Sequence, residues 1–174
     1  MTTMRPGLRK LVLTAHITAS TGWLGAVLVF LALAVIGVTS PDSATVRAVY
    51  RVMEPAAWYA LVPLAVASLI TGLVQSLGGA WGLVRHYWVL FKLLINVGAL
   101  AVLLMYTATL GSLARLAAAA DADMRVLRGP SAVIHSSLAL VLLLLATVLA
   151  VYKPRGRTPY APGPAAAPKQ VKNI

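Results

Sequence analysis

Four long apolar runs dominate the sequence and constrain its fold more than any other feature. They cover residues 11–38, 56–77, 87–113 and 131–152, and each is long enough to cross the roughly 30 Å hydrocarbon core of a bilayer as a helix. Backbone polar groups cannot stay unpaired in lipid, so such runs fold as α-helices. The sequence therefore predicts an all-α, polytopic membrane protein, whose residues 1–152 form an antiparallel bundle of four transmembrane helices.

The composition of the chain agrees with this prediction. Of 174 residues, 60% are hydrophobic and 11% are charged, against about a quarter charged in soluble domains. The absence of cysteine excludes disulfides, thiolate metal sites and cysteine nucleophiles. A net charge of +11 would suit a nucleic-acid-binding protein, but the basic residues lie near the ends of the apolar runs. We interpret them as topology signals and expect membrane lipids, not nucleic acid, as partners.

The distribution of Lys and Arg predicts the orientation in the membrane. With the N-terminus in the cytoplasm, five of the 15 basic residues lie outside, namely Arg47, Arg51, Arg115, Arg125 and Arg128. The other ten lie on the inner side, as the positive-inside rule requires. We therefore expect a multi-pass membrane protein with both termini in the cytoplasm.

Two segments outside the apolar runs also carry structural signals. The segment 40–53 begins with Ser-Pro-Asp, a typical helix start, and then places apolar residues at helical spacing. These residues are Val46, Val49, Tyr50 and Met53, and they predict a short interfacial helix lying over the bundle. Residues 153–174 are basic and rich in proline, which predicts a disordered cytoplasmic tail.

Polar side chains inside the apolar runs are the candidates for a functional site. His16 and Trp23 share one face of the first run, and Lys92 and Asn96 lie one turn apart on the third. An ionisable residue inside a spanning helix is costly, which makes it a functional candidate by default. We predict that these four residues bind a cofactor or an anion, and that His16 faces the bundle interior and contacts the third helix near Lys92 or Asn96.

Each candidate also has a structural interpretation. His16 would serve as a hydrogen-bonding link to a neighbouring helix, and Lys92 would extend its ammonium to the inner headgroups. The third run is expected to supply the partner of His16, because it offers polar side chains at matching depth.

A metal centre is a further candidate, with His16 and His86 as its ligands. Both histidines are expected near the inner edge of the membrane, where an ion or haem would lie between them. No carboxylate lies within the apolar runs, and no helix carries a closely spaced histidine pair. A Ser-His-Asp set, a phosphate loop and an intramembrane carboxylate pair are also missing, which favours a non-enzymatic role.

Two short motifs resemble a known group of membrane proteins. His16, Trp23 and Gly25 form H-x6-W-x-G in the first run, and Trp88 to Leu94 form W-x3-K-L-L in the third. These motifs resemble the copper-resistance-D-like (CopD-like) and HemJ-like membrane proteins, and most closely an uncharacterised family of small bacterial four-helix integral membrane proteins in that group. The resemblance implies a four-helix fold in a bacterial inner membrane, haem b bound by His16, and Lys92 as the matching lysine.

Three functions remain open from the sequence. The first is an integral membrane protein of unassigned, non-enzymatic role that binds haem or a metal ion near His16. The second is a HemJ-like, haem-dependent membrane oxidoreductase or electron-transfer protein. The third is a small transporter or accessory membrane subunit. A homo-oligomer or a partner membrane subunit is compatible with each of them.

Overall fold

The computed structural model of the protein describes residues 4–78, 83, 85–154, 156 and 158–159. These residues form six α-helices and one π-helical turn. The helices are α1 (Pro6–Thr39), α2 (Ser43–Ala56), α3 (Val62–Gly78), α4 (Tyr87–Ala118), α5 (Met124–Leu127) and α6 (Ser131–Tyr152), and the π-helical turn (Ala57–Leu61) joins α2 to α3.

Four helical stretches are long and apolar enough to cross a membrane: Pro6–Thr39, Ser43–Gly78, Tyr87–Ala118 and Met124–Tyr152. Helix α1 packs against α2, α3 and α6, and α4 packs against α2, α3 and α6. The predicted all-α fold, a polytopic membrane protein with four spanning helices in a bundle, is confirmed.

The second spanning helix differs from its predicted form. The sequence predicts a separate interfacial helix over 40–53 and a span that begins at residue 56, whereas α2, the π-helical turn and α3 are continuous. Pro55 and Pro63 both lack the N–H that an α-helix needs, and the π-helical turn lies between them. There the N–H of Val62 donates to Ala57 O, five residues back, so the chain passes two prolines without breaking.

The apolar residues predicted in this segment are nevertheless buried. Val46, Val49, Tyr50 and Met53 are at most 5% exposed and belong to the main hydrophobic core. Their face of α2 packs against α4 and α1. The helical spacing was thus interpreted correctly, whereas the attachment of α2 to the second span was not predicted.

The end of the bundle that holds the α2 N-terminus is closed by polar caps. The Asp42 carboxylate accepts hydrogen bonds from the N–H groups of Ala44 and Thr45 and from the Thr45 hydroxyl, as an N-cap residue does. These bonds, the hydroxyl first among them, lower the pKa of Asp42 below its usual range. Arg47 donates to the carbonyls of Ala117, Ala119 and Ala120 at the end of α4. This arginine therefore covers carbonyls that have no partner within the helix.

The predicted tail begins with a few residues that contact the bundle. Lys153 ends α6 in the left-handed conformation, with φ of 44°. The N–H of Thr158, which is only 7% exposed, donates to Arg85 O just before α4. Residues 155, 157 and 160–174 of the tail lie outside the described residues, so the disordered tail stays a prediction.

Candidate functional site

The imidazole of His16 lies between α1 and α3, where α3 fixes its orientation. His16 is 8% exposed, and its Nδ1 lies 3.1 Å from Ser68 O and 3.1 Å from Thr71 Oγ1. A carbonyl oxygen only accepts, so Nδ1 carries the ring hydrogen and donates it to Ser68 O. One helical turn further along α1, the hydroxyls of Ser20 and Ser68 lie 2.8 Å apart. Two polar links therefore join α1 to α3 at this depth.

The second ring nitrogen of His16 faces Lys92 on α4. The Lys92 Nζ lies 3.0 Å from His16 Nε2. Because Nδ1 holds the hydrogen in the neutral ring, Nε2 is the acceptor and the ammonium donates. This contact confirms that His16 faces the bundle interior and reaches the third span at Lys92. The histidine thus connects three helices, α1, α3 and α4.

The partners on α3 correct one expectation. The sequence points to the third span as the source of polar partners for His16, but Ser68 O and Thr71 Oγ1 on the second span bond its Nδ1. Every residue has a backbone carbonyl, so the sequence does not indicate which carbonyl accepts this hydrogen bond. The hydroxyl of Thr71 also donates to Ala67 O, the local bond expected of a helical threonine. These contacts are therefore found in the packed structure and not in the sequence pattern.

Gly72 makes room for the imidazole. A Cβ built at this position would lie 3.1 Å from His16 Cε1, closer than ordinary van der Waals contact. The neighbouring helix therefore approaches His16 at a residue without a side chain, as small residues allow in membrane helix packing.

A cavity of about 110 Å³ opens beside the His16–Lys92 pair. Its polar lining comes from Ser68, Gln75, Ser76, Asn96 and the His16–Lys92 pair, and its apolar lining includes Leu69, Leu73, Leu83, Trp88, Val89 and Leu93. At about 30 Å³ of liquid volume per water molecule, this space accommodates a small polar group. Pockets for whole cofactors are several times larger.

Three polar side chains around this cavity each donate one hydrogen to a backbone carbonyl. Gln75 donates to Val12 O at 3.3 Å, Ser76 to Gly72 O at 2.9 Å, and Asn96 to Lys92 O at 2.7 Å. An ammonium group has three donors, and that of Lys92 donates one of them, to His16, within the described part of the chain. Two donors of Lys92 therefore remain for a ligand, and the amides of Gln75 and Asn96 each retain one further N–H.

No aspartate or glutamate side chain lies near Lys92. Asp42 caps α2 and Asp123 caps α5, both at the opposite end of the bundle, and Asp121 lies in the turn between α4 and α5. Glu54 precedes Ser68 by 14 residues in the same continuous helix, or about 21 Å at 1.5 Å per residue. The lysine therefore has no Asp or Glu side chain as its counter-ion.

Of the other predicted site residues, one lines the His16–Lys92 cavity and two do not. Asn96 is 8% exposed and lines the cavity beside Lys92. Trp23 is only 2% exposed, but it lines a different cavity. Trp23 lies seven residues after His16, about 10 Å along the helix. The same face of α1 therefore lines two cavities at different depths in the bundle. His86 is the residue before the first turn of α4 and does not line the His16 cavity.

The geometry around His16 does not fit a metal ion. Among the described residues, no three His, Cys, Asp or Glu side chains cluster in a way that could hold one. His16 Nε2, the nitrogen with a lone pair, already faces the Lys92 ammonium at 3.0 Å. A cation bound there would meet this positive charge at close range, where repulsion is strong in a low-dielectric interior. An iron bound to Nε2 would require Lys92 to move away.

Comparison of the chain with protein-family models, with curated proteins and with solved structures finds no match.

Proposed function

We propose that the protein is a non-enzymatic membrane protein that binds the acidic headgroup of an amphiphilic ligand in the His16–Lys92 cavity. Lys92 is the cation that meets the acid, and His16 positions its ammonium group. The observation that carries this proposal is a lysine with no Asp or Glu side chain near it, whose ammonium lies within a membrane span beside a polar cavity.

The cost of a charge in the membrane supports an acidic ligand. A buried cation needs a partner of opposite sign, because desolvation without one is expensive. A carboxylate or a phosphate supplies that charge and accepts the hydrogen bonds that Lys92 still has to donate. The headgroup fits the cavity, and an attached hydrocarbon chain is suited to the surrounding lipid.

The proposed orientation follows from the charges. We place both termini in the cytoplasm, since ten of the 15 Lys and Arg residues then lie inside, and the resemblance favours a bacterial inner membrane. The His16 cavity lies in the half of the bundle that holds the N-terminus, so its ligand would come from the inner leaflet. A homo-oligomer or a partner subunit is compatible with this arrangement.

The proposal is tested by titrating the purified protein, in a non-ionic detergent, with three probes that share one chain length. Dodecyl phosphate and dodecanoate represent the two acidic headgroups, and dodecanol is the neutral reference. At least one acid should bind by calorimetry where dodecanol does not. Lys92→Met should weaken this binding about tenfold or more, as loss of a charge-assisted hydrogen bond implies.

Lys10→Met is the matched control, because it removes the same charge from an exposed position on α1. It should leave the binding unchanged. If both lysine variants weakened binding of the acidic probe equally, the binding would reflect general charge attraction, which would contradict the proposal.

Haem b binding, which the resemblance implies, stays a prediction with its own measurement. A Soret band in the purified protein that His16→Ala removes would contradict the anion proposal and support a HemJ-like function.

A further inference from the structure

A second cavity lies farther along the bundle and is separate from the His16–Lys92 cavity. Its volume is about 70 Å³. Trp23 and Phe30 of α1, Tyr106 of α4 and His135 of α6 supply its aromatic lining. None of these residues lines the first cavity. A ligand would therefore contact different side chains in the two cavities.

Trp23 places an unused hydrogen-bond donor at this cavity. Its side chain is 2% exposed, and its indole N–H donates to no described residue. A buried indole N–H usually has a partner. In the described part of the chain, every fully enclosed side-chain nitrogen or oxygen has a hydrogen-bond partner. The N–H of Trp23 is therefore not fully enclosed, and Trp23 is one of the residues that line this cavity.

His135 lines the same cavity and has a hydrogen-bond acceptor with no partner among the described residues. Its Nδ1 lies 2.8 Å from Ser131 O, and since a carbonyl only accepts, Nδ1 carries the hydrogen. In the neutral ring the lone pair is then on Nε2. The ring stacks on Tyr106 with centroids 4.0 Å apart and planes 17° from parallel. The carbonyl and the stacked ring together hold His135 in one orientation, so its acceptor is fixed.

The cavity is accessible from the lipid side of the bundle. Val102 of α4 and Leu138 of α6 line it, and they are 45% and 50% exposed. Exposed apolar side chains at mid-span face hydrocarbon, so a lipophilic molecule can reach the cavity from the bilayer between α4 and α6.

From this arrangement we infer a second binding site, for the hydroxyl-bearing ring edge of a lipophilic quinol. The quinol hydroxyl donates to His135 Nε2 and accepts from the Trp23 N–H, and the ring lies against the aromatic side chains. A hydroxyl is both donor and acceptor, which matches the two unused groups. A hydrocarbon chain would leave both groups unpaired, at a cost in free energy, and a carbonyl alone would leave His135 Nε2 unpaired.

The test measures binding of a decyl benzoquinol, kept reduced under argon, to the purified protein by calorimetry. Its dimethyl ether, which has the same ring but no hydroxyl donor, is the ligand control. The quinol should bind at least about tenfold more tightly than the ether, as expected for one lost hydrogen bond that leaves a polar group unpaired. This comparison needs no variant, so it does not depend on the folding of any mutant.

Two variants assign the site. Trp23→Phe keeps an aromatic ring and removes the N–H, and His135→Phe keeps a ring for Tyr106 and removes Nε2. Each should weaken quinol binding about tenfold, whereas Trp58→Phe, at an exposed tryptophan outside the cavity, should leave it unchanged. Lys92→Met should also leave it unchanged, which separates this site from the anion site.

Equal binding of the quinol and its ether would overturn the inference, as would a wild-type protein that binds neither. An equal loss in Trp58→Phe and Trp23→Phe would overturn it as well.

Discussion

The hydrogen bond between His16 and Lys92 is the contact that most needs a direct energetic test. The perturbation is a double-mutant cycle with His16→Leu, which keeps a side chain of similar size, and Lys92→Met, which keeps the stem and removes the ammonium. The cycle isolates the pairwise energy because neither change introduces a new polar contact. The quantity of interest is the free energy of unfolding of the four proteins.

The expected coupling follows from the contact distance and its setting. The two nitrogens are 3.0 Å apart, and a hydrogen bond to a charged group contributes about 1.5–3 kcal/mol in soluble proteins. Hydrogen bonds between membrane helices average about 0.6 kcal/mol and reach about 1.7 kcal/mol. A charge-assisted bond should lie at the upper end of the membrane range, so we expect a coupling of about 1–1.7 kcal/mol.

Equilibrium unfolding in mixed micelles with increasing dodecyl sulfate supplies the four free energies. A cycle between Lys92→Met and Ser131→Ala is the control, because Ser131 starts α6 at the opposite end of the bundle and its coupling should be within about 0.3 kcal/mol of zero. A coupling within about 0.3 kcal/mol of zero between His16 and Lys92 would contradict a hydrogen bond between them. It is the result expected if the Lys92 ammonium extends to the headgroups.

Three further predictions concern packing, pH and orientation. Gly72→Ala should lower the thermal midpoint, because its Cβ would meet the site histidine at 3.1 Å, whereas Gly25→Ala, with nothing within 4 Å, should leave it unchanged or raise it. The pKa of Asp42 lies below its usual range, so its cap is present above the unfolded-state pKa and is lost as the pH falls through the lowered folded-state pKa. Hydrogen exchange in the first turn of α2 should accelerate only in that acid range, and in Asp42→Ala it should already be fast at neutral pH. In this cysteine-free chain, a cysteine at Asp121 should react with an impermeant thiol reagent in intact cells and one at Lys10 should not, while the reverse would contradict the orientation.

The sequence predicts the spanning helices well because apolar length is a strong signal. The fourth span was predicted as 131–152, and α6 occupies Ser131–Tyr152. The predicted third span, 87–113, begins at the first residue of α4, which continues to Ala118. The continuity of α2 with the second span was missed, because two prolines normally predict a break and a π-helical turn has no sequence signature.

The candidate site is partly predictable for a similar reason. His16 is costly in lipid, so its burial and its contact with Lys92 follow from physical chemistry alone. Its bond to Ser68 O depends on how closely α3 approaches, which Gly72 permits and which no local pattern encodes. Trp23 was grouped with His16 because both share the buried face of α1, but they line different cavities, about 10 Å apart along the helix.

The most direct test of the proposed function is native mass spectrometry of the protein released from the membranes in which it was made. We expect a bound acidic amphiphile on the wild-type protein and on Lys10→Met, and its loss in Lys92→Met. A wild-type protein without any adduct, or an adduct that Lys92→Met retains in full, would contradict the claim that Lys92 holds an anionic ligand.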